Sequence, residues 1–313
     1  MELITFPVLR RVAVCGGTHG NELSGVYVVQ ELERQMKERG EAFPFSLTAV
    51  LSNPRAVEAC KRYVDKDLNR CFTSAILSTP IGEDTPYEIR RAQELNSLLG
   101  PKGAASATDV LCDLHNTTAH MGLTIISYFW KNWICLHLYK YIQTKVTAVP
   151  VRLMLLDIQY DDAYSMESLS KNGITIEVGP QPHSVVRADI YNVMKQGVDS
   201  VLDWVKLFNS GKLIEGGEVD GYMIERSMDY PRDPKTQKPS AMIHPQLQDR
   251  DFQLLRRGDP VFLTFSGETL TYEDEEPLHA IFVNEAAYYE KGVAFHLARK
   301  KTVMVPSVRA EPN

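Results

Sequence analysis

The sequence predicts an α/β protein with a mainly parallel or mixed sheet, covered by helices on both faces and followed by a smaller, mostly β domain. Up to Gly211, β-branched runs alternate with segments whose apolar residues recur every three or four positions, as expected for strands and amphipathic helices. From Glu218 onward, short alternating apolar runs are separated by turn signals such as Arg257-Gly258-Asp259-Pro260. We therefore expect one domain at residues 1–211 and a second at residues 212–313.

Within the first domain, hydrophobic periodicity predicts each strand and helix in turn. A strand at residues 12–15 leads into a helix at residues 22–39, which Gly40 ends. Further strands are predicted at residues 45–51, 110–114, 124–129, 151–156 and 174–178, and further helices at 85–99, 130–145 and 188–208. Residues 162–171 favour a short helix. The polar, poorly periodic residues 61–70 are typical of a loop that carries function.

The helix at residues 85–99 has a clear start signal in the sequence. Thr85-Pro86-Tyr87-Glu88 matches a capping box with proline at the first helical position, and Gly100 follows the last helical residue. In a capping box the glutamate bonds back to the backbone at the start of its own helix. The pattern therefore predicts that Glu88 has a local role.

Composition excludes several classes of function. The 313 residues include 44% hydrophobic and 24% charged residues, as in an ordinary globular protein. A net charge of -6 and a pI of about 5.8 argue against nucleic acid or an anionic membrane as the partner. The start lacks the pattern of a signal peptide, and the most apolar run, residues 123–130, is too short for a membrane span. Five cysteines without Cys-x-x-Cys spacing predict reduced, buried thiols in a cytosolic protein.

Three separate stretches carry residues with metal or acid–base chemistry at the ends of predicted strands. His19 and Glu22 follow the first strand, three positions apart, a spacing that alone is more typical of a surface pair. His115 ends a second apolar run, and two histidines with one carboxylate are the ligands of a catalytic zinc site. Glu177 stands in a β-branched run, where a carboxylate is expected to be paired or catalytic. Strand ends of this kind meet at the carboxyl edge of an α/β sheet.

With these stretches assembled, the chain resembles the aspartoacylase and aminoacylase-3 family. The phrases that carry the resemblance lie at residues 16–22, 53–56, 67–70, 113–118, 177–182 and 284–290. They span both predicted domains and therefore nearly the whole chain. The resemblance implies a zinc-carboxypeptidase-like α/β domain with a C-terminal domain that closes the active site. It also implies a homodimer or homotetramer.

The resemblance further implies roles for individual residues. The expected ligands of one Zn²⁺ per subunit are His19, Glu22 and His115. Glu177 is the expected general acid/base, and Arg62 is expected to face the scissile carbonyl. The residues expected to bind substrate are Asn69, Arg70, Tyr288 and Glu167.

One position distinguishes substrates within the family. A gapless count back from Glu177 places Glu167 where aspartoacylase uses an arginine for the second carboxylate of N-acetylaspartate. A carboxylate there would repel that substrate. In this respect the chain resembles the aminoacylase-3 side of the family, and this resemblance implies N-acetyl aromatic amino acids and mercapturic acids, which are N-acetylcysteine S-conjugates, as the preferred substrates. The alternatives are aspartoacylase activity and, in another class, a carboxypeptidase-like binding protein without catalysis, against which the retained Glu177 argues.

Some residues keep two interpretations at this stage. Asp113 is a candidate metal ligand, but a carboxylate that bonds to a ligand, or a satisfied strand-end residue, is the preferred interpretation. Glu285 either orients groups in the site or caps local backbone. The remaining histidines lack a partner at ligand spacing and are expected to be structural or exposed; they are His120, His137, His183, His244, His279 and His296.

Overall fold

The computed structural model describes residues 2–39 and 43–312. The strands within this part of the chain are β1 (Leu3–Phe6), β2 (Arg11–Gly16), β3 (Ser46–Leu51), β4 (Val110–Asn116), β5 (Gly122–Ser127), β6 (Val151–Leu155), β7 (Asn172–Gly179), β8 (Gly217–Asp229), β9 (Ala241–Ile243), β10 (Leu254–Leu255), β11 (Pro260–Thr264), β12 (Thr269–Thr271), β13 (Leu278–Ile281), β14 (Val293–Val305) and β15 (Ser307–Ala310). The α-helices are α1 (Leu23–Arg39), α2 (Pro54–Glu58), α3 (Ser74–Leu77), α4 (Tyr87–Leu99), α5 (Trp133–Lys145) and α6 (Ala188–Asn209). Short 3₁₀ turns lie at Leu68–Arg70, Tyr160–Asp162, Met166–Leu169 and Ala286–Lys291.

A mixed sheet of ten described strands is the centre of the fold. Its order is β10-β13-β14-β8-β6-β5-β7-β4-β2-β3. The neighbouring strands β3, β2, β4 and β7 are parallel to one another, whereas β5 runs antiparallel to β7. The carboxyl ends of β2, β4 and β7 therefore lie side by side at one edge of the sheet, as the sequence predicts.

Helices cover both faces of this sheet because its central strands are apolar on both sides. All seven residues of β4 are buried. Along β2, Val12 and Val14 pack into the core that contains α1, α5 and α6, whereas Ala13 and Cys15 pack into the core on the α4 side. The predicted fold class is confirmed. No helix in residues 2–39 and 43–312 is long and apolar enough to cross a membrane.

The C-terminal part is rich in strands and continues the main sheet. Strand β8 pairs with β6 through Met154 with Tyr222 and Leu155 with Met223, and β14, β13 and β10 extend the sheet outward. A separate three-stranded sheet, β12-β11-β9, packs over its own apolar core. Both β8 and β14 have 13 residues, so they are longer than the short strands predicted here. The domain boundary at Gly211 stays a prediction.

Several local expectations differ from the structure. Helix α4 starts at Tyr87 with Pro86 at its N-cap and no side-chain capping bond, so the capping box is wrong. Helix α2 is absent from the sequence prediction, although Asn53 caps it and Pro54 begins it. No disulfide links the described cysteines, and four of the five are buried, but Cys60 is exposed. The predicted helix end at Gly40 lies outside the described residues.

Candidate active site

The connection from β2 to α1 delivers two of the predicted ligands to the sheet edge. Gly17 has a φ of 72°, and a β-carbon there would lie 2.8 Å from Val57 Cγ2, so the turn requires glycine. The turn brings His19 back over the ends of the neighbouring strands and places Glu22 directly before Leu23, the first residue of α1. A sharp strand-to-helix turn therefore allows two side chains three positions apart to converge.

Parallel pairing of β2 with β4 and of β4 with β7 places the residues at the ends of these strands next to one another. His115 on β4 is in register with Glu177 on β7, and Gly16 on β2 pairs with Leu114 on β4. Three strands distant in sequence thus place His19, His115 and Glu177 at one edge.

His19, Glu22 and His115 form a buried cluster whose ligand atoms lie within 4.8 Å of one another. Glu22 Oε1 lies 2.7 Å from His19 Nδ1, and Glu22 Oε2 lies 3.0 Å from His115 Nδ1. The two Nδ1 atoms are 3.1 Å apart. Ligand atoms around a tetrahedral ion with bonds of about 2.0–2.1 Å lie about 3.3 Å apart, so the cluster is close to the size that zinc requires.

Two aspartates fix the orientation of both imidazoles. Asp67 Oδ1 accepts a hydrogen bond from His19 Nε2 at 3.0 Å, and Asp113 Oδ2 accepts one from His115 Nε2 at 2.7 Å. Thr18 Oγ1 donates to Asp113 at 2.8 Å. Because a carboxylate only accepts, each Nε2 carries a proton, so the lone pair of the neutral imidazole is on Nδ1, the nitrogen that faces the cluster. Two facing lone pairs and a carboxylate fit a cation such as zinc.

Arg62 is tied to the same cluster. One guanidinium nitrogen donates to Glu22 Oε1 at 3.2 Å and another to Asp67 Oδ2 at 3.4 Å. These carboxylates hold the guanidinium beside the ligand atoms, where it can donate to an oxygen that develops negative charge.

A cavity of about 400 Å³ opens above the cluster and brings all nine predicted site residues together. These are His19, Glu22, Arg62, Asn69, Arg70, His115, Glu167, Glu177 and Tyr288. The rest of the lining is mixed, and seven apolar residues in it, here called the apolar wall, are Ile126, Met154, Leu156, Ile158, Ile224, Phe282 and Val293. The roles of the nine predicted residues as ligands and catalytic groups stay predictions, but their convergence in one cavity is a feature of the structure.

Glu177 lies in this cavity with an unsatisfied carboxyl oxygen. The residue is buried, and its Oε1 has no hydrogen-bond partner among the described residues. Burial raises the pKa of the Glu177 carboxyl well above its usual value. An unpaired buried carboxyl group beside a candidate metal centre is suited to accept and donate a proton.

Arg70 offers a positive charge to the same cavity. Its guanidinium lies 4.5 Å from the centre of the Tyr164 ring and donates to Asn69 O at 2.8 Å. It forms no ion pair with a described carboxylate, so its charge is available to an anionic ligand. Asn69 Oδ1 accepts from Met166 N at 3.2 Å, an interaction that orients the amide group of Asn69.

Tyr288 enters from the C-terminal part on the 3₁₀ turn Ala286–Lys291. Its ring contacts those of Phe282 and His296, with ring centres 5.7 and 5.2 Å away. Glu285 caps this turn by accepting from Ala287 N at 3.0 Å and also accepts from Thr118 N at 2.7 Å. Glu285 is therefore both a cap and a link to the segment after His115.

Glu167 is buried at the side of the cavity. Its Oε1 accepts from the Ser165 hydroxyl at 2.6 Å, whereas Oε2 has no hydrogen-bond partner within the described part of the chain. Burial raises the pKa of the Glu167 carboxyl above its usual value. Its influence on substrate choice stays a prediction.

Two residues of the site have no role that the sequence predicts. Asp67 belongs to the predicted functional loop, but only the fold reveals that it bonds to His19. His296 is expected from sequence to be structural or exposed, yet it lines the cavity, and burial lowers the pKa of its imidazole to about 4. A single histidine in an alternating strand gives no signal of such a position.

The fold and this site define the chain as a hydrolytic enzyme of α/β architecture with a His-Glu-His cluster that can bind a metal. Residues 8–205 match the succinylglutamate desuccinylase/aspartoacylase catalytic domain, and residues 217–300 match the AstE/AspA barrel-sandwich hybrid domain. The chain belongs to the succinylglutamate desuccinylase/aspartoacylase family, and the predicted family membership is confirmed.

Relatives across the family share almost the full length of this chain. N-acyl-aromatic-L-amino acid amidohydrolase (carboxylate-forming) B of Danio rerio is 61% identical over 312 residues, which cover 99% of each chain. Aspartoacylase of Mus musculus is 41% identical over 302 residues, which cover 96% of each chain. The crystal structure of murine aminoacylase 3 matches with a TM-score of 0.92 and 46% identity, covering 97% of this chain and 99% of that one.

Proposed function

We propose that the protein is a zinc-dependent amidohydrolase that cleaves N-acetylated amino acids into acetate and the free amino acid. The observation that carries the proposal is the unpaired carboxyl oxygen of Glu177 in one cavity with the His19, Glu22 and His115 cluster. The relative from Danio rerio, named as an N-acyl-aromatic-L-amino acid amidohydrolase, supports the same reaction. A binding protein without catalysis would have no use for that carboxyl group.

His19, Glu22 and His115 would hold the zinc ion. When bound at such a site, zinc lowers the pKa of water and polarises a carbonyl group. Glu177 would accept the proton of the attacking water and later deliver it to the leaving amine nitrogen. Arg62 would donate hydrogen bonds to the carbonyl oxygen as negative charge develops there.

Arg70 and Asn69 would bind the α-carboxylate that every N-acyl amino acid carries. A guanidinium can bind a carboxylate through two parallel hydrogen bonds, and Arg70 has no competing ion pair in the described chain. Tyr288, which also lines the cavity, would help to close the site from the C-terminal part of the chain. Substrates that lack the α-carboxylate should therefore bind poorly.

The side chain of the substrate would lie against the apolar wall of the cavity. That wall suits N-acetyl aromatic amino acids and mercapturic acids, and the Glu167 carboxyl group disfavours a second substrate carboxylate. Aspartoacylase activity is the second candidate, because Lys291 also lines the cavity and could pair with such a carboxylate. Hydrolysis rates distinguish the two candidates.

We expect zinc-loaded protein to hydrolyse N-acetyltyrosine with a higher kcat/KM than N-acetylaspartate. The physical reason is the burial of the aromatic ring against the apolar wall, worth about 1.5–3 kcal/mol for a large side chain. Initial rates of both substrates, with a chelator-treated sample as the blank, measure the preference. A higher rate on N-acetylaspartate would make aspartoacylase the activity, and no metal-dependent rate on either would favour the binding protein.

Replacing Glu167 by arginine should raise kcat/KM for N-acetylaspartate by about tenfold, because the new charge would attract the second carboxylate. The same change should lower kcat/KM for N-acetyltyrosine. Glu167→Gln is the matched control, since it removes the negative charge and adds no positive one. An unchanged preference in the arginine variant, with metal content intact, would show that Glu167 does not govern substrate choice.

We further propose that the protein acts in the cytosol as a homodimer or homotetramer. The free thiols of the described cysteines support the first statement, and the family resemblance suggests the second.

A further inference from the structure

Glu88, the residue predicted to cap its own helix, has its side chain turned toward a different part of the molecule. The residue is fully buried in the first turn of α4. Its Oε1 accepts hydrogen bonds from Val64 N at 2.6 Å and Asn53 Nδ2 at 3.3 Å. Its Oε2 accepts from Asp65 N and Lys66 N, both at 3.0 Å. One carboxylate therefore binds three consecutive backbone amides.

Those amides belong to residues 61–67, here called the Arg62 loop. The middle of this loop lies at the surface, since Val64 is 44% exposed and Asp65 is also exposed. Asp65 Oδ2 accepts from Tyr87 N at 2.8 Å, so the loop in turn satisfies an amide at the start of α4. Glu88 of the helix thus accepts hydrogen bonds from the loop, and Asp65 of the loop accepts one from the helix. These bonds take the place of a capping box.

The residues on either side of these amides belong to the candidate active site. Arg62, two positions before Val64, bonds to Glu22 at 3.2 Å. Asp67, one position after Lys66, bonds to His19 at 3.0 Å. Asn69 and Arg70 follow on the next turn and line the cavity. A displacement of residues 64–66 would therefore move groups at the ligand cluster and groups that line the cavity.

The chemistry of Glu88 suits it for holding this loop in place. Backbone amides bond more strongly to a carboxylate than to a neutral acceptor, and a buried carboxylate needs such donors. Glutamine has nearly the same shape but only one acceptor oxygen, so its amino group would face an N–H donor of the loop. The substitution therefore breaks the interaction without leaving a cavity.

We propose that Glu88 is a positioning residue for the reaction, since it holds the Arg62 loop so that Arg62, Asp67, Asn69 and Arg70 are correctly placed. This role rests on the proposed function. This positioning role explains why the carboxylate of Glu88 is buried, because a residue that only caps a helix does not need to be buried.

The test compares the parent with Glu88→Gln, using Glu94→Gln as the matched control on the same helix. Glu94 is 64% exposed, and the interaction of its side chain within the described residues is an ion pair with Arg91. On N-acetyltyrosine at saturating zinc, Glu88→Gln should lower kcat and raise KM, with a loss of at least about tenfold in kcat/KM. Both parameters should change because the loop carries Arg62, the group for the carbonyl, and leads directly into Asn69 and Arg70, the groups for the α-carboxylate. Glu94→Gln should match the parent within about twofold.

Limited trypsin digestion supplies a readout that does not depend on activity. The Arg62 loop contains the trypsin sites Lys61, Arg62 and Lys66, and cleavage there requires local opening. In Glu88→Gln these sites should be cleaved several times faster than in the parent, whereas cleavage elsewhere should be unchanged. Peptide mass spectrometry assigns each cut.

The outcomes separate this role from a merely structural one and from the proposed function. A variant with a lower Tm but parental kcat, KM and loop cleavage would overturn the proposal. If the parent hydrolyses no N-acyl amino acid, the proposed function fails, while the trypsin pattern still decides whether Glu88 holds the loop. If Glu88→Gln does not fold, Glu88→Asp, which keeps the charge but shortens the reach, is judged by the same criteria.

Discussion

Replacing Glu177 by glutamine is expected to lower kcat for N-acetyltyrosine by about 10²–10⁴-fold, the usual contribution of a general acid/base. Glutamine keeps the shape of the side chain but cannot accept the proton of the attacking water. The Oε1 of Glu177 is buried and bonds to no described residue, so the substitution breaks no internal hydrogen bond at that atom. The loss should therefore fall on kcat, with the fold preserved.

Metal content distinguishes the possible roles of Glu177. Elemental analysis of Glu177→Gln should give the same metal-to-protein ratio as the parent, because the ligand cluster consists of His19, Glu22 and His115. Glu218→Gln, on the exposed side of β8, is a suitable control for a glutamate in a strand. Loss of metal from Glu177→Gln would identify Glu177 as a ligand, and unchanged kcat would remove it from the catalytic step.

Removing the metal is expected to abolish hydrolysis, and adding zinc should restore it. The reason is that two imidazole nitrogens and one carboxylate form a ligand set that binds zinc well and magnesium poorly. Rates are measured after dialysis against a chelator, then after addition of zinc or of magnesium. Recovery should follow zinc occupancy.

Two results would contradict the zinc assignment. Full activity in protein without detectable metal would show that the cluster is not needed for the reaction. Recovery with magnesium but not with zinc would mean that the ion is held by oxygen ligands elsewhere in the chain. The chelator should leave far-UV circular dichroism unchanged, since the fold is built on the sheet and its cores rather than on the cluster.

Much of the fold follows from the sequence because its strands and helices have strong apolar periodicity. Strands β2, β4 and β7 are buried on both faces, and their apolar runs mark where they end. Parallel pairing then places their carboxyl ends together, which is why strand periodicity alone groups His19, His115 and Glu177 at one edge. The assignment of Arg62, Asn69, Arg70 and Tyr288, by contrast, depends on the family resemblance.

The features that the sequence does not reveal depend on contacts between distant segments. Glu88 matches a local capping pattern, but three consecutive loop amides offer the carboxylate more hydrogen bonds than its own helix start. The pairing of β1 with β15 also joins segments about as distant as the chain allows, and no local pattern indicates it. The bond from Asp67 to His19 spans 48 positions and is hidden for the same reason.

The exposure of Cys60 makes the Arg62 loop accessible to spectroscopy. Of the five cysteines, all within the described residues, four are buried and Cys60 alone is exposed, one position before the loop begins. A maleimide fluorophore would therefore attach at this thiol without mutation of the other four. Its emission can then be followed in a stopped-flow experiment, as a test of whether the Arg62 loop moves when substrate is added.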